Sequence, residues 1–138
     1  MIQFLWQLPQ NLFGFIVCKI TGALPTSFTS EGQTIACYLA SRLNNNWAGV
    51  SLGKYIVIAK SKYMTQKNVR HEYGHQRQSL RLGWLYLVII GFPSFAGNIF
   101  DRLAHKNWEP VRRLKWYYSR LPWERSADKL GNVRRFEL

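Results

Sequence analysis

The segment His71-Glu72-Tyr73-Gly74-His75 places two of the chain's three histidines four residues apart, with a glutamate directly after the first. On a helix, residues four apart lie on one face, one turn above the other. Two imidazoles so placed can ligate one Zn2+ at about 2.0–2.1 Å each. Glu72 falls about 100° around such a helix from His71, off the line of the ligands but beside the metal. There it can take a proton from metal-bound water and pass it to a leaving amine. Two surface histidines on a solvated helix would read the same way. Gly74 argues against that. A mid-helix glycine costs about 1 kcal/mol relative to alanine, so it points to another backbone passing close, for which the Tyr55–Ala59 segment is a candidate.

A catalytic site needs a third ligand. The metzincin pattern would put Gly at position 78 and His at position 81, where this chain has Gln78 and Arg81, so that class is excluded. His105 could ligate or stabilise an oxyanion, but no pattern surrounds it. Glu124 and Asp128 are the stronger pair: they lie four apart in a segment that Pro122 can open and Gly131 can close as a helix. Glu124 can ligate, and Asp128 can accept the free ring N–H of a ligating histidine and fix its tautomer. Ordinary surface acids beside Arg125 and Lys129 are the bland alternative.

The elements that must position these residues follow from pattern. Thr65 to Leu82 contains no proline, with Thr65 as an N-cap and Gly83 as a stop, which predicts the helix that carries both histidines. Tyr55 to Ala59 is the clearest strand, and Val50 to Leu52 a short one before it. Thr26–Ser30 and Thr34–Leu39 flank a Glu31-Gly32-Gln33 turn, which suggests a hairpin; a helix from Ser30 to Leu43 is the alternative. Asn44-Asn45-Asn46 reads as a loop.

Two stretches carry no charge. Met1 to Cys18 is interrupted by Gln3, Gln7, Gln10 and Asn11, and Pro9 is expected to break any helix in it. It lacks the basic start and small-residue cleavage site of a signal peptide. An interfacial helix with Trp6, Phe13 and Phe15 toward lipid is the preferred reading, and a helix packed on the protein's own core the other. Leu82 to Phe100 is split by Pro93: either a tilted membrane helix kinked there, or a hairpin turning at Gly91–Ser94, or a buried helix plus a loop.

With 138 residues the chain has the length of one domain. Hydrophobic residues make up 47%, which excludes a disordered chain, and two cysteines exclude both a disulfide scaffold and a four-cysteine zinc site. The net charge of +12 calls for an anionic partner, the surface of an anionic bilayer or a nucleic acid. The charge-free stretches favour the bilayer, and the surrounding Lys and Arg would keep the polar body cytoplasmic.

His71-Glu72-x-x-His75 followed by Glu124-x-x-Ala127-Asp128 resembles the gluzincin zinc metallopeptidases, closest to the membrane-associated group of heat-shock membrane proteases and CAAX prenyl proteases. Gly49-Val50-Ser51-Leu52-Gly53-Lys54-Tyr55 ahead of the His71 helix is similar to small uncharacterised bacterial membrane zincins. The resemblance implies an α+β fold. That would be a minimal zincin-like domain with a small antiparallel sheet, an active-site helix, membrane-associated helices and a C-terminal ligand helix. It implies Zn2+ on His71, His75 and Glu124, with Asp128 behind a ligand, Glu72 as the base, and a peptide or protein substrate. It also implies a bacterial inner membrane with the site facing the cytoplasm. Val50–Leu52 or Tyr55–Ala59 could offer an edge to an extended peptide, and His105, Tyr117 or Tyr118 could donate to the oxyanion. Two rival readings stand beside this. One is a basic nucleic-acid module stacking bases on Trp116, Tyr117 and Tyr118; the other is an inactive zincin-like scaffold, against which the retained Glu72 speaks.

Overall fold

The computed structural model describes residues 2–40, 49–59, 62 and 64–134; the Asn44–Asn46 loop lies outside them. Tyr55-Ile56-Val57-Ile58 forms β4, and all four residues are buried. A strand apolar on both faces has to be central, and the chain builds around it. β1 (Leu24–Ser30) and β2 (Gln33–Leu39) form the expected hairpin, and β3 (Gly49–Leu52) pairs antiparallel with β4. The helix alternative over 30–43 is thereby excluded. Glu31 and Gly32 both have positive φ, 51° and 77°, as a two-residue type I′ turn requires.

The sheet is mixed, not the small antiparallel sheet expected. Its order is β1-β2-β4-β3, and β2 runs parallel to β4 through Tyr38↔Val57 and Leu39↔Ile58. The reason is burial. β4, the more apolar strand of the second hairpin, takes the inner position beside β2, which leaves β3 at the edge.

Helices cover both faces. Ile35, Cys37, Ile56 and Ile58 pack with Val69 of α3 (Gln66–Leu82). Ala40, Tyr55 and Val57 pack with Val17 and Cys18 of α2 (Leu8–Thr21). The α3 boundaries match the pattern: Thr65 accepts a hydrogen bond from the Asn68 N–H, and Gly83 ends the helix at φ 57°.

The N-terminal stretch is interrupted ahead of Pro9, as expected: the short α1 (Ile2–Trp6) ends at Gln7, and Pro9 sits in the first turn of α2, where its missing N–H has no intrahelical partner to lose. Three of the four polar residues that interrupt the apolar run, Gln7, Gln10 and Asn11, are buried, while Gln3 is exposed. Gln7 and Gln10 both reach Ser79 Oγ of α3, at 2.6 and 3.2 Å, and Asn11 Oδ1 accepts the Lys54 N–H at 2.8 Å. Leu12, Phe13, Phe15 and Ile16 face outward, each at least 42% exposed. Trp6 and Trp84 clasp the ends together, each donating its indole N–H to a carbonyl across the junction, Leu80 and Leu5 respectively.

From Gly83 to Ala104 the path is helical throughout: a 3-10 turn (Gly83–Leu85), a π turn (Leu87–Gly91), then α4 (Phe92–Ala104). Gly91 and Phe92 are both right-handed helical, so the chain does not reverse at Gly91–Ser94. The π turn lies directly ahead of Pro93, which cannot donate to the regular ladder. Leu87–Ala104 is long and apolar enough to cross a membrane, and most of it is exposed. α5 (Pro110–Arg120) and α6 (Pro122–Leu130) complete the chain. Across α4, α5 and α6 the buried residues are only Asp101, Glu124, Ala127 and Asp128.

Candidate metal centre

α3 and α6 cross where both are thin. A Cβ built on Gly74 would lie 1.8 Å from the Ala127 carbonyl oxygen, and one on Gly131 1.9 Å from the Arg70 carbonyl oxygen. The close approach inferred at Gly74 is therefore real, but the partner is α6 and not the Tyr55–Ala59 strand. Arg70 fastens the same crossing. Its buried guanidinium donates to Ser30 Oγ (2.9 Å), the Gly131 carbonyl (3.1 Å) and Glu31 Oε2 (3.1 Å), joining α3 to the hairpin turn and to the end of α6.

This contact brings His71, His75 and Glu124 together. All three are buried, and one ligand atom from each lies within 4.8 Å of the others. Glu124 Oε2 is 3.0 Å from His71 Nε2 and 3.1 Å from His75 Nε2. A tetrahedral cation with bonds of about 2.0–2.2 Å separates its ligand atoms by roughly 3.3–3.5 Å, close to this spacing.

The tautomers decide what the convergence means. His71 Nδ1 faces Asp128 Oδ1 at 2.7 Å, and a carboxylate can only accept, so that nitrogen carries its hydrogen. His75 Nδ1 faces Gln78 Oε1 at 2.7 Å, and Gln78 Nε2 donates to the Trp123 carbonyl at 2.9 Å, which fixes the amide orientation. In the neutral rings both Nε2 atoms are then bare acceptors aimed at one carboxylate oxygen. Three lone-pair atoms in that arrangement need a proton or a cation between them. The residues fit a metal ion.

The other carboxylate oxygen is held from behind. Tyr117 OH donates to Glu124 Oε1 at 3.1 Å, and Ser94 Oγ of α4 donates to the same atom. Burial would raise the Glu124 pKa, but the hydrogen bonds and charges of both histidines outweigh it and hold the carboxyl well below the usual range. Burial would lower the His71 pKa; its bonds to Asp128 and Glu124, with the charge of Glu72, overcome this and lift it to about 9. The Tyr117 phenol is pushed up by burial first and by the Glu124 charge second.

Glu72 is buried next to the ligands, and its Cγ lies against Gly49 at the start of β3, where a Cβ would approach it to 3.3 Å. Tyr118 sets its ring edge-on to His71, centroids 5.0 Å apart. Tyr117, one of the three candidate oxyanion donors, directs its hydroxyl to Glu124 Oε1. His105, weighed both as a ligand and as an oxyanion donor, belongs to a different cluster. Its Nδ1 pairs with Asp101 at 2.9 Å, and its ring stacks on Trp108 at 3.7 Å. The sequence reading missed Gln78 and Ser94. Gln78 sits three residues after His75, on the same helix face, so its spacing was a usable signal. Ser94 comes from a distant helix and gave none.

No family model, no curated protein and no solved structure matches this chain. The two motifs and their geometry carry the functional reading alone.

Proposed function

We propose that this chain is a zinc-dependent peptidase of gluzincin type that works at a membrane surface, with His71, His75 and Glu124 holding the metal. The observation that carries the reading is the pair of Nε2 atoms converging on Glu124 Oε2 while both Nδ1 atoms are tied elsewhere. Two nitrogens and one oxygen suit zinc, and three protein ligands leave one position open, as in catalytic sites. When bound, zinc supplies Lewis acidity, which polarises a carbonyl and makes water nucleophilic near neutral pH.

The chain's own residues divide the remaining work. Glu72 neighbours His71 in sequence and is excluded from bulk water, so its carboxylate can take the proton of the attacking water and return it to the amine that leaves. Asp128 and Gln78 fix the ring orientations, and Tyr117 and Ser94 fix the carboxylate. β3 lies at the sheet edge, beside Glu72, and an extended peptide could add there as a further strand. The membrane part rests on the outward apolar faces of α2 and of 87–104.

The test is metal analysis of protein purified in detergent, with cleavage of a mixed peptide library. The reading requires about one zinc per chain, lost in His71→Ala and Glu124→Ala, and hydrolysis that a chelator stops. A full metal content with no cleavage would leave the inactive scaffold.

A further inference from the structure

We propose that the outer groove of α5 is a phosphate-binding site that takes the headgroup of an anionic phospholipid. Trp108, Arg112, Lys115, Trp116, Ser119 and Arg120 line an open cleft of about 520 Å³. At the 100° per residue of an α-helix, the five residues from α5 fall within an arc of about 140°. Three cations therefore share one face, and no acid is among the lining residues. Two acids lie nearby: Asp101 is already bound to His105 and to Arg113, at 2.9 and 2.8 Å, and Glu109, the N-cap of α5, is exposed at the end of the helix beside Trp108, leaving the three cations in excess.

The floor is aromatic. Trp108 lies between the His105 ring, stacked at 3.7 Å, and the Arg112 guanidinium, 3.9 Å from its centroid. Trp116 meets the same His105 edge-on at 4.4 Å and reaches Phe100 of α4 at 5.8 Å. A guanidinium stacked on an indole keeps its N–H donors in plane and free to point along the cleft. A phosphate accepts such a fork, and Lys115 and Ser119 add a point charge and a hydroxyl.

Position selects the source of the phosphate. The cleft stands at the end of the apolar 87–104 helix, and Leu103, Val111 and Leu114 beside it are 72%, 70% and 50% exposed. Tryptophan and cations at the end of an apolar helix match the headgroup level of a bilayer. The inference rests on the membrane placement proposed above and is independent of the metal chemistry.

The experiment is native mass spectrometry of the protein in a neutral detergent and phosphate-free buffer. Phosphatidylglycerol and phosphatidylcholine with identical chains are offered in equal amounts. Wild type should retain phosphatidylglycerol over phosphatidylcholine by about tenfold or more, since each cation near an anionic headgroup contributes roughly fivefold. Arg112→Gln/Lys115→Gln/Arg120→Gln should lose that preference. Lys67→Gln/Arg77→Gln/Lys129→Gln, which removes equal charge elsewhere, should keep it. Unchanged metal content shows that both variants fold. Equal retention in the two triple variants overturns the site. So does complete displacement of the lipid by millimolar inorganic phosphate, which would make the ligand soluble, or by a single-stranded oligonucleotide, which would make it nucleic acid. Absence of any lipid preference in metal-loaded wild type fails this inference alone; a preserved preference in wild type that holds no metal fails only the metal reading.

Discussion

The carbonyl oxygen of Ala127 occupies the space where a side chain on residue 74 would begin. The spacer glycine of the His71–His75 motif and the spacer alanine of the Glu124–Asp128 motif thus face each other, and the two motifs meet because the residues between them are small.

Gly74→Ala should therefore act on the metal without touching a ligand. Overpacking of this kind costs about 1–3 kcal/mol, and the relief available is to part α3 from α6, which carries Glu124 away from both histidines. Zinc titration should show at least tenfold weaker binding together with a lowered Tm. Wild-type affinity in this variant would disprove the tight crossing.

Glu72→Gln keeps size and removes the base. Zinc content should stay near wild type while hydrolysis falls by about 10²–10⁴-fold, the usual range for general acid–base assistance. Cleavage at the wild-type rate, with zinc bound, rejects the mechanism.

Asp128→Asn and Gln78→Leu remove the acceptors behind His71 and His75. Each should weaken zinc by roughly 10–100-fold, with activity partly restored by added zinc. If only Asp128→Asn responds, Gln78 is packing and not orientation.

In chelator-treated protein the His71 pKa of about 9 sets two pH trends. Zinc must displace that proton, so apparent affinity should rise by about tenfold per pH unit up to pH 9 and then level off. Stability has the opposite slope. A pKa raised from 6.5 contributes fully below about 6.5 and is lost as pH climbs through 9. The lowered Glu124 pKa contributes above its ordinary value of 4.5 and is lost as pH falls through the depressed one. The Tm of this form should thus decline from pH 6.5 to 9, as scanning calorimetry would record. A Tm that rises over that window contradicts the His71 environment described here.

Leu12→Ser/Phe15→Ser/Ile16→Ser alters only the outward face of α2. Wild type should stay with membranes after a high-salt wash, which removes purely electrostatic attachment. The triple variant should be partly released with its metal content unchanged. Release of wild type by salt alone would remove the bilayer from the proposal.

The cluster that could hold a metal was legible because helical spacing is local: His71/His75 and Glu124/Asp128 each occupy one face whatever surrounds them. The hairpin and α3 were legible from a Gly turn and an N-cap, which are equally local. Sheet order was not, since the parallel β2–β4 pair depends on which of two hairpin strands is the more buried. Nor was the partner of Gly74, because a mid-helix glycine announces an approach without naming what approaches. The buried side of the N-terminal stretch was not legible for a further reason. Gln7, Gln10 and Asn11 look like flaws in an apolar run until Ser79 and the Lys54 N–H supply their partners.

The second oxygen of Glu124, gripped by Ser94 and Tyr117, joins α4, α5 and α6 at a single carboxylate. These helices bury few residues outright, and beside the Arg113–Asp101 and Phe100–Trp116 contacts between α4 and α5, the Glu124 carboxylate is the contact that all three share. Whatever neutralises or removes that carboxylate loosens three helices at once. In hydrogen exchange, the C-terminal half should open as one cooperative unit, with its protection rising on metal loading while the sheet hardly changes.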